Sequence, residues 1–516
     1  MSYWRRTRFT WAATVLVAIL FVAWTVMVTS GGDPTGGWWT RATPHTETYP
    51  GQIASTLSLV MSPPVIMALL LIAAWWAKDR RLHAIAGGIV LSIVLTWSSV
   101  IVVKYVVDRP RPETEWDFLV TYAGPSYPSE HAAVVTAAAI LMVALTTTTR
   151  HSLATVLVWR AAGVVAVLAV GFVMVFLHAH HLSDVIGGVL LGGLATSLSM
   201  LICDIHILSG VPDEETKGRA AIVYNPSKIP DPTTFMRLVD NAAKEYGWEG
   251  PIWLATTPGD PGHSMARAAR EAEVDLVMIA GGDGTVRVVL GELANSGIRV
   301  AIVPAGTGNL LARNLDIPLD YARALELLGD GVPQKLDLLR FTSEDPDEEP
   351  EYSAVIAGVG ADAAIFHDTN ETLKRQIGSL AYITAGLNNM RAVPMKASLA
   401  LDGGEPKEIE ASLVSIGNVS DLTGGITYIP DASSSDGQLD VLVASPSNTA
   451  EITQMLGALL TDPRDVPHLS HDTAKQVSLR LEEPTLFQID GDVIREITEL
   501  HGEVLEHAVE VLVPRP

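Results

Sequence analysis

Residues 275–314 read DLVMIAGGDGTVRVVLGELANSGIRVAIVPAGTGNLLARN. The stretch says one thing twice. An apolar run, Asp275–Ala280, breaks into Gly281-Gly282-Asp283-Gly284-Thr285, and Val286–Ala294 follows with helical character. A second apolar run, Arg299–Val303, breaks into Pro304-Ala305-Gly306-Thr307-Gly308-Asn309, again with a helix behind it. Upstream, Ala220–Tyr224 supplies another strand, ending in Asn225-Pro226. Strand, loop and helix in repetition predict a parallel α/β sheet, whose ligands bind at the carboxyl ends of the strands. Glycine suits such loops because a backbone without Cβ approaches phosphate closely, and the following helix N-terminus favours the negative charge. A carboxylate inside the loop does not suit bare phosphate; Asp283 suits a Mg²⁺ carried with a nucleotide, directly or through water. One glycine-rich loop marks a turn. Two at strand ends, with Asp283 and Asn309 inside, point to nucleotide binding.

Outward from this stretch the chain changes character. Its 516 residues are too many for one domain of ordinary size. Residues 1–208 hold 12 Lys+Arg and 10 Asp+Glu, leaving 23 basic and 48 acidic residues beyond them. So acidic a half argues against nucleic acid as a partner, because Lys and Arg at phosphates supply that affinity. It argues equally against recruitment by anionic lipid. The single thiol, Cys203, cannot form an intramolecular disulfide and belongs to no Cys-based metal site.

Six stretches of the first half are long and apolar enough to span a bilayer: about 10–30, 53–76, 83–107, 131–148, 153–177 and 185–208. The first exceeds a usual signal-peptide core and no small-residue cleavage pattern follows it, so it reads as a retained span. Arg5, Arg6 and Arg8 precede span one, Lys78, Arg80 and Arg81 lie between spans two and three, and Arg150 lies between spans four and five. The positive-inside rule then predicts a cytoplasmic N-terminus, and six spans return the C-terminal half to the cytoplasm. The loops at 31–52, 108–130 and 178–184 would face outward.

Those outward loops carry Lys104 at the end of span three, Arg109 and Arg111 in a proline-rich turn, Pro128-Ser129-Glu130-His131 opening span four, and His178, His180, His181 and Asp184 between spans five and six. Cations at membrane depth are expensive and usually functional. Arg binds a phosphate oxyanion bidentately and Lys as a point charge. A His oriented by a carboxylate can attack phosphorus, and a second His can protonate the leaving oxygen. The extra histidines bring no carboxylate or Cys set that would favour a metal.

Residues 104–112 resemble the K-x6-R-P signature of the type 2 phosphatidic acid phosphatase family. Pro128–His131 resembles its P-S-G-H motif, and His180-x3-Asp184 the end of its S-R-x5-H-x3-D motif. The resemblance covers about residues 80–205. It implies His180 as nucleophile, Asp184 as its orienting partner, His131 as general acid, and Lys104, Arg111 and Ser129 as phosphate ligands. Two positions depart from the family. Glu130 stands where its Gly does, and Met174 where its Arg does, with Arg109 a substitute for the missing cation.

The GGDGT run at 281–285 and the GTGNLLAR run at 306–313 resemble the diacylglycerol kinase catalytic domain, shared with sphingosine kinases. Further matches follow in order. They are Asp337, Gly358-Val359-Gly360-Ala361-Asp362, Lys374, Gly378 and Tyr382, Gly424-Gly425, Pro430-Asp431-Ala432, Asp436–Asp440, and Asp490-Gly491-Asp492 where the family has D-G-E. NAD kinases share G-G-D-G but lack the later motifs. The resemblance spans 219–516 and implies a two-lobe, ATP- and Mg²⁺-dependent lipid kinase. An α/β nucleotide lobe occupies 219–338 and a β-rich acceptor lobe 339–516. Asn225, Gly281, Gly282, Asp283, Gly284, Thr285, Gly306, Thr307, Gly308 and Asn309 would contact nucleotide or its metal. Asp490 would be the general base with Asp492 beside it, and Asp283 and Asp436 would be metal ligands.

The expected whole is a multidomain integral protein of the cell membrane. It comprises a six-helix transmembrane bundle over 1–208, a linker over 209–218, and the two-lobe kinase. The substrate is a lipid alcohol, diacylglycerol by default, with a phosphatidate-type lipid at the outward face; a homo-oligomer stays open. Two alternatives stand beside it: a helical half that only anchors the kinase, and a kinase half that senses nucleotide without transfer.

Overall fold

The computed structural model describes residues 3–30, 33–35, 48–113, 124–206, 216–343, 348–360, 394–422, 426–427, 429, 431–446, 448, 450–455 and 466–515. The chain divides into two compact units, Met1–Pro212 with Thr233–Asn241, and Asp213–Pro232 with Ala242–Pro516. Of the expected motif residues, Ala361, Asp362, Lys374, Gly378, Tyr382, Gly424, Gly425 and Pro430 lie outside the described residues, as does most of the linker.

The helical unit contains α1 (Tyr3–Thr29), α2 (Tyr49–Val60), α3 (Pro63–Asp79), α4 (His83–Val107), α5 (Glu130–Thr148), α6 (Leu153–Phe176) and α7 (Leu182–Ile202). Among the described residues, five segments are long and apolar enough to cross a membrane: Thr10–Thr29, His83–Val107, Glu130–Thr148, Leu153–Phe176 and Leu182–Ile202. The expected second span is instead a bent pair, α2 and α3, meeting at 40°. Pro63 and Pro64 explain the break. Proline lacks the N–H that would continue the helix and pushes the preceding residue into extended geometry, and Ser62 has ψ 149. The count is therefore five, or six with the bent pair as one broken span.

α5 is the innermost of these segments, with 67% of its apolar window buried, against 11% for α1. It packs against α4, α6 and α7. The α5–α7 contact is backbone to backbone. A Cβ at Gly188 would lie 2.4 Å from the Ser129 carbonyl oxygen, and one at Gly192 would lie 2.1 Å from that of Ala133. This is the small-xxx-small spacing that lets apolar helices approach closely where no hydrophobic drive separates protein from lipid. It draws the start of α7 against the start of α5.

Along the chain there follow β1 (Ala220–Tyr224), α8 (Pro232–Glu245), β2 (Ile252–Ala255), α9 (His263–Glu271), β3 (Leu276–Gly281), α10 (Asp283–Glu292), β4 (Arg299–Pro304) and α11 (Leu310–Asn314), all of the second unit except residues 233–241 of α8. Strands β2, β1, β3 and β4 lie side by side and parallel, as the repeated pattern predicts. The strands that follow are β5 (Val332–Thr342), β6 (Glu351–Ser353), β7 (Ile356–Gly360), β8 (Met395–Leu401), β9 (Lys407–Ala411), β10 (Leu413–Gly417), β11 (Asp421–Leu422), β12 (Ile426–Thr427), β13 (Leu439–Ala444), β14 (Leu469–Ala474), β15 (Gln476–Ile489) and β16 (Asp492–Val513).

The α/β and β-rich lobes share one sheet, ordered β14-β13-β10-β7-β15-β16-β4-β3-β1-β2. The 22-residue β16 makes the join. It leaves β15 through the Asp490-Gly491 turn, runs antiparallel to β15 and β5, and ends parallel to β4 at Glu510 and Val511. The expected lobe boundary at 338/339 falls inside β5. Val359, Val414, Leu439, Val477 and Phe487 are among the buried core of the β-rich part, with Phe341 edge-on to Phe487.

A Gly192→Leu substitution should separate α5 from α7. Overpacking against backbone costs about 1–3 kcal/mol or more, so the detergent-solubilised protein should lose thermal stability in the helical unit. Gly193→Leu is the control, because a Cβ there meets only Val17, at 3.8 Å. Equal melting of the two variants would contradict the packing argument.

Candidate functional site

In the second unit, Asn225, Gly281–Thr285 and Gly306–Asn309 follow β1, β3 and β4, all at the carboxyl edge of the parallel strands. Each loop is held by its own chain. Asn225 accepts from Ser227 N and Oγ through Oδ1 (3.0 and 2.7 Å) and donates its own N–H to Ala280 O. Asn309, in the left-handed region at φ 51, closes the second glycine loop by accepting from Gly306 N at 2.9 Å and donating Nδ2 to Gly306 O at 3.1 Å.

Asp283 ties the two loops together. Oδ2 accepts from Asn309 N at 2.9 Å and Oδ1 from Leu310 N at 2.6 Å, so the carboxylate of the first loop caps the helix that follows the second. Burial pushes its pKa up, those two amides pull it down, and the charge of Asp490 raises it again. The glycines prove to be packing residues. A Cβ at Gly306 would lie 2.6 Å from Gly282 Cα, one at Gly308 2.8 Å from Asp283 Oδ2, and one at Gly284 2.6 Å from Asp492 Oδ2.

That last contact brings the β15–β16 turn onto the first glycine loop. Asp490 occupies the turn at φ 50, a conformation Asp tolerates better than most residues. Among the described residues its Oδ1 accepts from Ser353 Oγ (2.6 Å), Ile356 N (2.9 Å) and Val355 N (3.2 Å), and Oδ2 from Ala354 N (3.3 Å). Burial raises its pKa and the Ser353 hydroxyl is the largest opposing influence. Asp490, Asp492 and Asp283 thus gather around one loop. Ser353 and the amides of 354–356 carried no sequence signal, because a strand end shows no motif.

Asp436 is exposed and its Oδ1 accepts from Gln438 N at 3.0 Å. Among the described residues no group of three or more His, Cys, Asp or Glu is placed to hold a metal, so Asp436 gains no ligand set for a structural Mg²⁺. Asp337 organises that turn instead, accepting from Gly437 N (2.7 Å) and from His507 N (2.6 Å), the latter at a bulge in β16. The glycine-loop region does fit a metal-bound triphosphate. No side chain caps the N-terminus of α10, an arrangement that receives phosphate oxygens. Mg²⁺ arriving with nucleotide would take most of its ligands from phosphate and water; Asp492 lies beside the loop, and Asp283, already held through both oxygens by two amides, could reach the ion directly only by sharing those oxygens.

The helical unit gathers the second predicted set. Lys104 Nζ donates to Pro125 O at 2.5 Å and lies 3.4 Å from Glu130 Oε1. Arg111 donates to Gly124 O and Ala179 O, and its NH1 lies 3.2 Å from His180 Nε2. Ser129 is buried and caps α5; its N–H donates to Asp184 O at 3.0 Å. His131, the second residue of the same helix, is buried.

The expected His180–Asp184 pair is not in direct hydrogen bond: Nδ1 and Oδ2 are 3.8 Å apart. Ser126 stands between them, donating to Asp184 Oδ2 at 2.5 Å and lying 3.3 Å from His180 Nδ1. Arg109 is engaged by Asp184 Oδ1 (2.6 Å) and Ser183 Oγ (2.7 Å), so it serves the dyad carboxylate rather than replacing the cation missing at 174. Met174 is fully buried in an apolar cluster with Val135, Val170 and Leu177. Burial drives His180 down to about 4, which keeps the imidazole neutral near pH 7. Ser126 was missed by sequence reasoning although it stands two residues before the Pro128–His131 motif.

Comparison with known proteins agrees with both halves. Residues 65–205 match the PAP2 superfamily, residues 219–341 the diacylglycerol kinase catalytic domain, and residues 353–513 the YegS C-terminal NAD kinase beta sandwich-like domain. The diacylglycerol kinase of Bacillus subtilis (strain 168) is 29% identical over 284 residues, covering 53% of this chain and 89% of that protein. That of Staphylococcus carnosus (strain TM300) is 25% identical over 310 residues, covering 58% and 96%. Among solved structures, a diacylglycerol kinase from Bacillus anthracis str. Sterne aligns with TM-score 0.44 at 22% identity, covering 58% of this chain and 98% of that one.

An unfolded histidine titrates near 6.5 and folded His180 near 4. Between those values the unfolded chain binds the extra proton, so stability rises with pH through this window and is lost as pH falls. Melting of the parent protein and His180→Asn from pH 7 to pH 4 should show the parent losing more stability. Parallel curves would contradict the burial.

Proposed function

We propose, for a chain that joins a PAP2-superfamily domain to a diacylglycerol kinase catalytic domain, a membrane-anchored kinase that transfers the terminal phosphoryl group of ATP to a lipid hydroxyl. One observation carries the reading: the Asp490-Gly491-Asp492 turn lies against the glycine loop that holds Asp283. Mg²⁺, bound with the nucleotide, would neutralise phosphate charge and orient it. Asp490 would take the proton of the acceptor hydroxyl. Among the described residues its Oδ1 is engaged by three donors and its Oδ2 by one, at 3.3 Å, which leaves Oδ2 capacity for that proton. Burial raises its pKa and so makes the carboxylate a better proton acceptor, in keeping with a base. Diacylglycerol is the default acceptor, and a sphingoid base, polyprenol or glycolipid would suit the same chemistry.

The positive-inside pattern supports a cytoplasmic kinase and an outward polar cluster in a multi-pass cell-membrane protein. Tethering would raise the kinase concentration at the bilayer to roughly millimolar, so an acidic domain needs no basic patch. At the outward cluster His180 would attack a lipid phosphate held by Lys104, Arg111 and Ser129, with Asp184 orienting it through Ser126 and His131 protonating the leaving oxygen. A second reading makes this half an anchor without chemistry. The Lys104–Glu130 ion pair and the burial of Met174 favour it, because one phosphate cation is partly neutralised and another is absent.

Purified protein in lipid nanodiscs, given Mg-ATP and a lipid extract, should produce species heavier by one phosphoryl group. Asp490→Asn should lower that rate by about a hundredfold or more, with ATP affinity retained. Unchanged turnover would remove Asp490 as the base. Phosphate release from phosphatidate, compared between the parent and His180→Ala, separates the two readings of the helical half: equal release supports the anchor. Labelling from ATP confined to right-side-out vesicles would defeat the orientation.

A further inference from the structure

Helix α10 begins with Asp283 and carries Arg287 one turn later, on the same face. Arg287 is 8% exposed, a costly place for a cation. Its NH1 donates to Glu351 Oε2 at 2.7 Å. Glu351 opens β6, which pairs with β5 through Phe341↔Glu351 and Leu339↔Ser353. Two residues further on, Ser353 donates to Asp490 Oδ1, and the next three amides also bind that carboxylate. Tyr352, between them, packs on the same helix: a Cβ at Gly291 would lie 2.6 Å from its ring.

An ion pair with a buried arginine and a partly exposed carboxylate is a poor stability device, since the desolvation penalty of the cation offsets much of the attraction. Its directional strength is in register. The helix end that starts at the glycine loop and the strand end that cradles Asp490 belong to distant parts of the sequence, and the Arg287–Glu351 pair is the charged link between them. We propose that Arg287, acting through Glu351, is a positioning residue that sets the Asp490 turn in register with the glycine loop of α10. This rests on the kinase reading for its catalytic consequence, but not for its structural one.

Two readouts on the full-length protein test it. In Arg287→Met and Glu351→Gln, kcat for lipid phosphorylation should fall about ten- to a hundredfold, because small misplacements of reacting groups have that effect. KM for ATP should stay within about twofold, the double variant should be no worse than either single one, and Arg287→Lys should recover part of the rate. Hydrogen exchange, independent of turnover, should quicken in the amides of 353–356 in Arg287→Met. A folded Arg287→Met with parental kcat and parental exchange overturns the proposal. So does a loss that appears only in KM, or one accompanied by uniformly faster exchange across the whole unit. If the parent phosphorylates no lipid yet Arg287→Met loosens 353–356, the kinase reading fails and the positioning role stands.

Discussion

The site in the second unit depends on one carboxylate and two amides. Asp283 reaches from the loop after β3 to the N–H groups of Asn309 and Leu310 after β4. Besides the β3–β4 ladder beneath them and the close approach of Gly306 to Gly282, that bridge is what joins the two glycine loops. With it, the start of α10 and the start of α11 become one rigid rim. The charge is buried, yet it sits at the positive end of a helix with two N–H donors, which is the compensation a buried carboxylate requires. The glycines follow from this closeness: Gly306 against Gly282 and Gly308 against Asp283 leave no room for a Cβ. Any role in admitting phosphate would be added to this role in letting the protein approach itself.

The parallel strands were legible because their signal is local. Ala220–Tyr224 was placed to the residue, and β3 and β4 to within one. Apolar runs closed by glycine announce themselves within ten residues. What was not legible is what distant residues do to one another. Asp283 looked like a free metal ligand until the amides of 309 and 310 were placed against it. Ser353 has no motif, and only the fold sets its hydroxyl on Asp490. β16 looked like the tail of a second lobe, but its 22 residues bind the lobes into one sheet. Local composition cannot report a strand that changes partners along its length.

The helical unit teaches the same distinction through its departures. The bend at Met61–Ser62 was written in Pro63-Pro64, yet hydropathy averaged over a window conceals a break that one proline pair dictates. Motif spacing brought His180, Asp184 and Ser129 to one place, and the Gly188 and Gly192 contacts explain how: α7 cannot carry Asp184 to the Ser129 amide unless the two helices touch backbone to backbone. Spacing did not foresee Ser126 within the dyad, nor Arg109 on the far oxygen of Asp184. Both act on a carboxylate already assigned a partner, and pairwise reasoning stops once a partner is found.

Asp184, Asp283, Asp337 and Asp490 are all held mainly by short hydrogen bonds, but the donors differ between the units. In the helical unit Asp184 has an arginine, a serine and one amide. In the second unit, among the described residues, Asp283 has two backbone amides, Asp337 has two with the His507 imidazole 3.4 Å away, and Asp490 has amides and a hydroxyl. The composition makes this economical, since beyond residue 208 acidic residues outnumber basic ones by 48 to 23. A site that anchors its carboxylates with amides leaves them less neutralised than one that uses cations. Such carboxylates can still bind a divalent metal or a proton, whereas a carboxylate clamped by arginine chiefly orients its neighbour. The two units therefore suit opposite tasks on phosphate: carboxylates that would work with a metal and a hydroxyl in one, and cations with an oriented imidazole in the other.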